Sequence, residues 1–533
     1  MRTSERVRWG HFPMGSPALG SVAGPGRVAH RATSKGGTAK ILIAIWVLAV
    51  AARLIFVNQP YVDHWSWRQS DVAAIARNFF QNGFRFGYPQ IDWAGNAPGY
   101  VGTEFPILPF IAAVCYKLAG VHEWIGRIQA VILFAASLPF FFLLVWKIFG
   151  SRAAVWASFF FCFTPLNVFA GRSFMPDVPS LSFAIVGLYF FLRWVEHGES
   201  SSFFVAAIAI SLSFLIKITS IVIVAPLVYI VVARGGDPGS DQVRGAWGGR
   251  GQRPRLQLLL FFVIALLPSA IWYWHAYQIA QKFYPHHLFG AGGIRIESFL
   301  WYWHIARQTL TSSLTPLLSV LALIGLLVAP RSKYSRFFHW WVVAMVLFVI
   351  VVGYGNRHLW YQLPVVPIAA AFAGAACAFI DSKIHSRVMA MTLSILLVSS
   401  FTTLAFWCVQ PFYQSSAAQL RDAGLESKKV TTPDALIVAA DMGDPTIFYY
   451  AERKGWHFPE NDAIYNGTPD DSAQAIENLE QLRRRGATHF VFTRNTFWWL
   501  ESYPKFAAHL TNNATLIEAT LEFRIYRLNT AAR

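Results

Sequence analysis

Charged side chains are scarce in this chain, at 14% of 533 residues, whereas a soluble globular domain carries about 25%. That deficit excludes a water-soluble protein of this length, because the chain could not cover its own surface with polar groups. Cysteine is also rare. Cys115, Cys162, Cys377 and Cys408 are scattered without a CxxC spacing, which excludes a disulfide framework and a cysteine zinc site. No G-x-G-x-x-G, no Walker A sequence and no solenoid-length repeat is present, so nothing suggests a phosphate-cradling loop or a repeat array. Acidic residues are few beside basic ones, 28 against 45 for a net charge of +17. In a soluble protein that balance would point to nucleic acid. In a chain that is 55% hydrophobic, basic cytoplasmic loops of a membrane protein account for it better.

A spanning helix needs about 17–25 mostly apolar residues. Such runs fall at roughly 41–57, 124–147, 153–170, 179–195, 203–216, 219–233, 257–275, 310–329, 338–353, 361–380 and 388–407, eleven in all. The stretch 105–119 is a twelfth candidate, short and interrupted by Pro106 and Pro109. Charge decides between the two counts. If 105–119 lies along the outer surface as a juxtamembrane helix, then Lys147, Arg152, the segment 234–256, Arg331, Arg336, Lys383 and Arg387 all share one side with the tail 1–40. The tail has seven Lys and Arg against Glu5, and 234–256 has five basic residues against Asp237 and Asp241. The other side has no such excess, with four basic and five acidic residues over 58–123 and 13 and 15 over 408–533. The positive-inside rule therefore predicts eleven spans, a disordered cytoplasmic tail, an inner N-terminus and an outer C-terminus.

The expected fold is thus an α-helical polytopic membrane protein. Its transmembrane domain covers 41–407, with a large first extracytoplasmic loop at 58–123, and a small soluble α/β domain covers 408–533. In that last region an apolar strand Ala435–Ala440 precedes helices near Thr446–Arg453 and Ser472–Arg485. A strand at Thr488–Thr493, a helix near Phe497–Leu510 and strands across Thr515–Leu528 follow.

Ionisable residues gather on the outer side. The first loop opens Tyr61-Val62-Asp63-His64-Trp65-Ser66-Trp67-Arg68-Gln69-Ser70-Asp71. Asp63 comes just after the first span, where partial desolvation would raise its pKa and make it a better base; it could equally cap the helix that follows. Glu104 stands before the juxtamembrane helix, where a helix dipole also favours an acid. Arg127 sits three residues into the second span, placed to reach the headgroups. The tight second loop, Gly171-Arg172-Ser173-Phe174-Met175-Pro176-Asp177, sets Asp177 between two spans with Arg172 as a candidate partner. Lys217 lies between two short spans and needs an anion or a polar cavity. Arg357 and Tyr361 follow in the fourth outer loop, where an arginine suits a lipid phosphate or a headgroup. His286, His287 and His304 lack a carboxylate at ligand spacing and are a weak metal signal. A divalent metal is left open, and no other cofactor is expected.

In this order the positions resemble a known family. They run from an acid after span one, through an acid–Pro pair before a juxtamembrane helix, to Gly-x-His-Glu-x-x-x-Arg (Gly120, His122, Glu123, Arg127). Met175-Pro176-Asp177, Lys217 between short spans, and Arg357, Tyr361 and Pro367 complete the set. The pattern is similar to the polyprenyl-phosphate-sugar-dependent integral membrane glycosyltransferases, among them the protein O-mannosyltransferases and the lipid A aminoarabinose transferases, and it extends over about 40–410. The resemblance implies the C-type glycosyltransferase fold, with a family-like soluble domain after it. It implies Asp63 as general base, with Asp177 and Glu104 also catalytic, and a donor phosphate held by Arg68, Lys217, Arg357, Tyr361 and Arg172. Where the aminoarabinose transferases read Glu-Lys-Pro-Pro, this chain reads Glu104-Phe105-Pro106-Ile107, so the lysine contact must come from Arg68, Lys217 or Arg357.

The expected activity is transfer of a sugar from a polyprenyl phosphate to an acceptor hydroxyl on a lipid, glycan or protein, with inversion. It would take place outside the bacterial inner membrane, with membrane lipids as further partners and no nucleic acid. A flippase of polyprenyl-linked sugars and a surface-glycan ligase or polymerase are the alternatives.

Overall fold

The computed structural model describes residues 35–235, 253–290, 294–461 and 464–529. Most of the expected basic tail and of the basic segment 234–256 lies outside the described residues. Met1–Ile41 forms one unit, and Leu42–Arg533 is a second, compact one; the site belongs to the second.

Fifteen α-helices cover the region expected in the membrane. They are α1 (Lys35–Leu54), α2 (Ser66–Gln81), α3 (Ile107–Ala119), α4 (Glu123–Phe149), α5 (Ser151–Phe163), α6 (Pro165–Ala170), α7 (Asp177–His197) and α8 (Ser200–Ile216). The series continues with α9 (Val224–Gly235), α10 (Arg253–Lys282), α11 (Phe299–Gln308), α12 (Pro316–Val328), α13 (Phe337–Val352), α14 (Val365–Lys383) and α15 (Arg387–Val409). Every predicted span has a helix in its place. Among the described residues six helices are long and apolar enough to cross a bilayer, or seven if the pair Phe299–Ser313 and α12, bent by 107°, is one span. Shorter apolar helices lie at α3, expected along the surface, and at α5, α8, Ile218–Ala233 and α13. The count of eleven crossings remains an expectation built on those shorter helices.

The break between α8 and α9 is where the fold is least regular and most informative. Lys217 ends α8 in an extended conformation, and a short 3-10 turn, Ile218–Ile223, follows. The backbone groups freed there find partners. The Leu215 carbonyl accepts from Phe105 N at 3.1 Å and from the Tyr273 hydroxyl at 3.1 Å, and Ile218 N donates to that hydroxyl at 3.1 Å. Through Phe105 the break is tied to the segment that carries Glu104.

The C-terminal region contains α16 (Ala418–Val430), β1 (Leu436–Ala440), α17 (Thr446–Ala451), β2 (Lys454–His457), β3 (Glu460–Asn461), β4 (Ile464–Tyr465) and α18 (Ser472–Arg484). After these come β5 (His489–Thr493), α19 (Trp498–Ser502), α20 (Pro504–Asn513), β6 (Ala514–Ala519) and β7 (Phe523–Leu528). The sheet order is β2-β1-β5-β7-β6, parallel over the first three strands and antiparallel over the last three. Strand β2 and helix α16 were not anticipated, and the expected helix near 497–510 is two short ones.

This region shares its core with the first loop. Ile75 and Phe79 of α2, with Ile91, Trp93 and Val101, pack into one buried cluster with Ile437, Phe448, Trp456 and Phe490. Contact at the sheet edge is direct: Gly95 N donates to Gly455 O at 2.7 Å and Gly455 N to Asp92 O at 3.0 Å. Gly95 has φ +57°, and a Cβ there would overlap the Trp456 indole. Gly95→Ala is therefore strained and overpacked at once, at about 1–3 kcal/mol, and is expected to lower the unfolding temperature. Differential scanning fluorimetry of the purified protein checks this.

Candidate active site

Helix α2 sets out the site. Arg68 and Asp71, three residues apart, share a helical face and line a cavity of about 560 Å³. Glu104, Lys217, Arg357 and Tyr361 line it too. Its outer wall is the C-terminal region: Met442–Pro445 beyond the end of β1, His457 at the end of β2, and Ile464 and Tyr465 of β4. The carboxyl ends of parallel strands thus open onto a cavity, as ligand crevices of such sheets do. Ser66 Oγ donates to Asp444 Oδ2 at 2.7 Å, and Ser70 and Thr446 hydroxyls meet at 3.0 Å, pinning that wall to α2.

Two buried ion pairs form the cationic end. Arg68 Nη2 donates to both oxygens of Glu104, at 2.8 and 2.7 Å. Arg68 Nη1 is buried and has no partner among the described residues. Burial alone would raise the Glu104 carboxyl, but Arg68 and then Lys217 outweigh it and hold the group at about 2. Lys217 Nζ lies 2.9 Å from Asp177 Oδ1 and 4.9 Å from the Tyr361 ring centre. Asp177 stands behind Lys217 and does not line the cavity. Arg357 stacks on Tyr354 at 4.0 Å at the exposed rim.

Asp63 and Arg172, expected at the site, do not line this cavity. Asp63 is fully buried. Its Oδ2 accepts from Arg127 at 3.2 Å and Arg172 at 3.0 Å, and its Oδ1 accepts from Gln69 at 2.7 Å and Trp65 N at 3.3 Å. Arg127 and Arg172 also donate to carbonyls of the turn after α1, at Val57, Gln59, Pro60 and Phe56. A carboxylate so engaged on both oxygens is a hub that ties the first loop to α4 and to the loop that carries Arg172.

Asp71, unassigned from sequence, has the exposure to the cavity that Asp63 lacks. Trp93 Nε1 donates to its Oδ1 at 2.9 Å. Burial lifts its carboxyl to about 6, against the opposing pull of Arg68 and the Trp93 hydrogen bond. His287 and His457 flank Trp93, each with a ring centre 5.3 Å away. His287, raised in the sequence as a weak metal signal, is lowered to about 4 by burial and then by Arg68. Among the described residues no group of three or more His, Cys, Asp or Glu is placed to hold a metal ion.

The family model described as dolichyl-phosphate-mannose-protein mannosyltransferase matches residues 103–248, a span that contains Glu104, Asp177 and Lys217. No curated protein matches the chain. The structure is similar to ArnT from Cupriavidus metallidurans crystallised with undecaprenyl phosphate, at 14% identity and a TM-score of 0.62, over 93% of this chain and 98% of that one. It is similar to the Archaeoglobus fulgidus oligosaccharyltransferase at 14% identity and a TM-score of 0.55, over 90% and 73% of the two chains. It is also similar to the mycobacterial arabinofuranosyltransferase AftD at 14% identity and a TM-score of 0.54, over 92% and 41%. The chain has the C-type glycosyltransferase fold.

Trp93→Phe removes the donor to Asp71 and is expected to raise its titration midpoint by about one pH unit, the value of a hydrogen bond to a charged group. Difference infrared spectra of the protonated carboxyl band against pH, with Asp71→Asn to assign it, measure the shift.

Proposed function

We propose that this C-type chain is a membrane glycosyltransferase that moves a sugar from a polyprenyl phosphate to an acceptor hydroxyl at the extracytoplasmic face of the inner membrane. The observation that carries the reading is the lining of one cavity, which holds three cations, Arg68, Lys217 and Arg357, together with a carboxylate pushed up to about 6, Asp71. The relatives' own chemistry agrees with it: ArnT from Cupriavidus metallidurans was crystallised with undecaprenyl phosphate.

The acceptor oxygen attacks the anomeric carbon as the bond from that carbon to the phosphate oxygen breaks. Asp71 takes the acceptor proton, and the polyprenyl phosphate leaves with the bonding pair. Charge developing on the phosphate is met by the cations that line the cavity, of which Arg68 and Lys217 are fixed by buried ion pairs, so little reorganisation is needed. A single displacement inverts the anomeric centre. The aromatic wall of Trp67, His358 and Trp360, where His358 and Trp360 stack at 4.5 Å, offers flat apolar surfaces to the sugar. A base with a pKa of about 6 is ionised above that pH, so transfer falls as pH drops through it. A monosaccharide monophosphate donor separates this reading from a glycan ligase, which draws on a diphosphate carrier, and net transfer separates it from a flippase.

Asp71→Asn is expected to lose transfer by roughly 10²–10⁴-fold, the usual worth of a general base, while still binding polyprenyl phosphate. Asp63→Asn leaves two buried arginines short of a counter-charge and destabilises the fold by about 3–5 kcal/mol, yet transfer per folded molecule is expected to stay within about tenfold of wild type. The assay is mass-spectrometric quantitation of product per folded protein. The opposite pattern returns the base to Asp63.

A further inference from the structure

The C-terminal wall holds a dyad that the transfer chemistry above does not use. His457 and Asp441 sit at the carboxyl ends of the neighbouring parallel strands β2 and β1. His457 Nδ1 lies 2.9 and 2.8 Å from the two oxygens of Asp441, and both residues are almost completely buried. Asp441 is anchored further by Gly443 N, which donates to its Oδ1 at 3.0 Å. With Nδ1 committed, Nε2 is the ring nitrogen left for a molecule in the cavity that His457 lines. The ring is braced by Trp93 at 5.3 Å and Phe448 at 5.4 Å. Because Trp93 also donates to Asp71, the imidazole and the proposed base are held by one indole.

We infer that Asp441 and His457 form the acceptor-recognition element of the cavity, with His457 Nε2–H donating to an oxygen of a hydroxyl-rich or anionic acceptor beside the hydroxyl that Asp71 deprotonates. This rests on the proposed transferase reading and deepens it. The cations that suit a lipid phosphate come from α2, from the break after α8 and from the loop before α14. The dyad comes from the soluble region, so an acceptor reaching the cavity over that region meets His457. Asp441 is a positioning residue and His457 a binding one.

The groups facing His457 are Asp441 and Asp444 from the segment after β1, Asp71 from α2, and His287 from the segment after α10. Burial works against its charge, but Asp441, with Asp71 and Asp444, outweighs it and holds the imidazole above its usual value. The charged donor therefore survives to higher pH than that of a free imidazole.

The test uses the full-length protein in nanodiscs. The donor is the polyprenyl-phosphate glycolipid fraction of cells lacking the protein, and the acceptor is the solvent-extracted envelope of the same cells. His457→Gln is expected to raise the half-saturating amount of envelope roughly 10- to 100-fold, the worth of a hydrogen bond from a charged group. Half-saturation by donor, and binding of sugar-free polyprenyl phosphate, should change less than threefold. Asp441→Asn is expected to move the fall in rate with rising pH to lower pH, which a purely structural contact would not do. Wild-type profiles and half-saturation in both variants would overturn the inference, and so would a rise in donor half-saturation alone. If His457→Gln no longer binds polyprenyl phosphate, the Asp441→Asn profile decides. Absence of transfer by the wild-type protein would instead overturn the transferase reading itself.

Discussion

A guanidinium buried beside a membrane domain is costly unless its charge is met, and the way Arg68 is met organises the cavity. Glu104 takes both its hydrogen bonds from a single nitrogen of Arg68, which leaves Nη1 buried, without a partner among the described residues, on a residue that lines the cavity. Lys217 repeats the arrangement with Asp177, whose Oδ2 is also left unpaired. Two carboxylates thus hold two cations where water cannot, at a desolvation penalty of several kcal/mol per ion. Such a pair is poor value for stability. It is useful where fixed donors must wait for an anion, because they need not reorganise when it arrives.

Distant parts of the chain supply the cavity, and three of them are fixed by different physical requirements. Helix α2 is held by the Asp63 hub on one side and by the sheet region on the other. Lys217 depends on a helix break whose freed backbone groups bond to Tyr273 and Phe105. The outer wall depends on parallel strands whose carboxyl ends must face inward. Because the first loop and the sheet share one core, the boundary expected at residue 408 separates two kinds of secondary structure but not two cores. The C-terminal region thereby supplies part of the cavity wall.

Helices were legible because a bilayer demands long apolar runs, and each expected span has its helix. Lys217 stood out because an ion in apolar sequence needs a reason, Glu104, Arg357 and Tyr361 by their place at the membrane face, and Arg68 through the resemblance; all five line the cavity. Which acid of the first loop lines the cavity was not legible. Asp63 and Asp71 look alike in sequence, and only the arrival of Arg127 and Arg172, 64 and 109 positions away, closes the first and leaves the second facing the cavity. Strand β2, Lys454-Gly455-Trp456-His457, is too short and too polar at its ends to show a strand period. With it went His457, although two acids just beyond an apolar strand, Asp441 and Asp444, were a usable signal.

The most direct test of the central claim is an electron cryo-microscopy structure of the full-length protein in nanodiscs with a saturating polyprenyl phosphate. The account predicts phosphate density within hydrogen-bonding distance of Arg68 and close to Lys217, with the Arg68–Glu104 pair intact. Phosphate bound away from this cavity, with Arg68 still unpartnered, would contradict it.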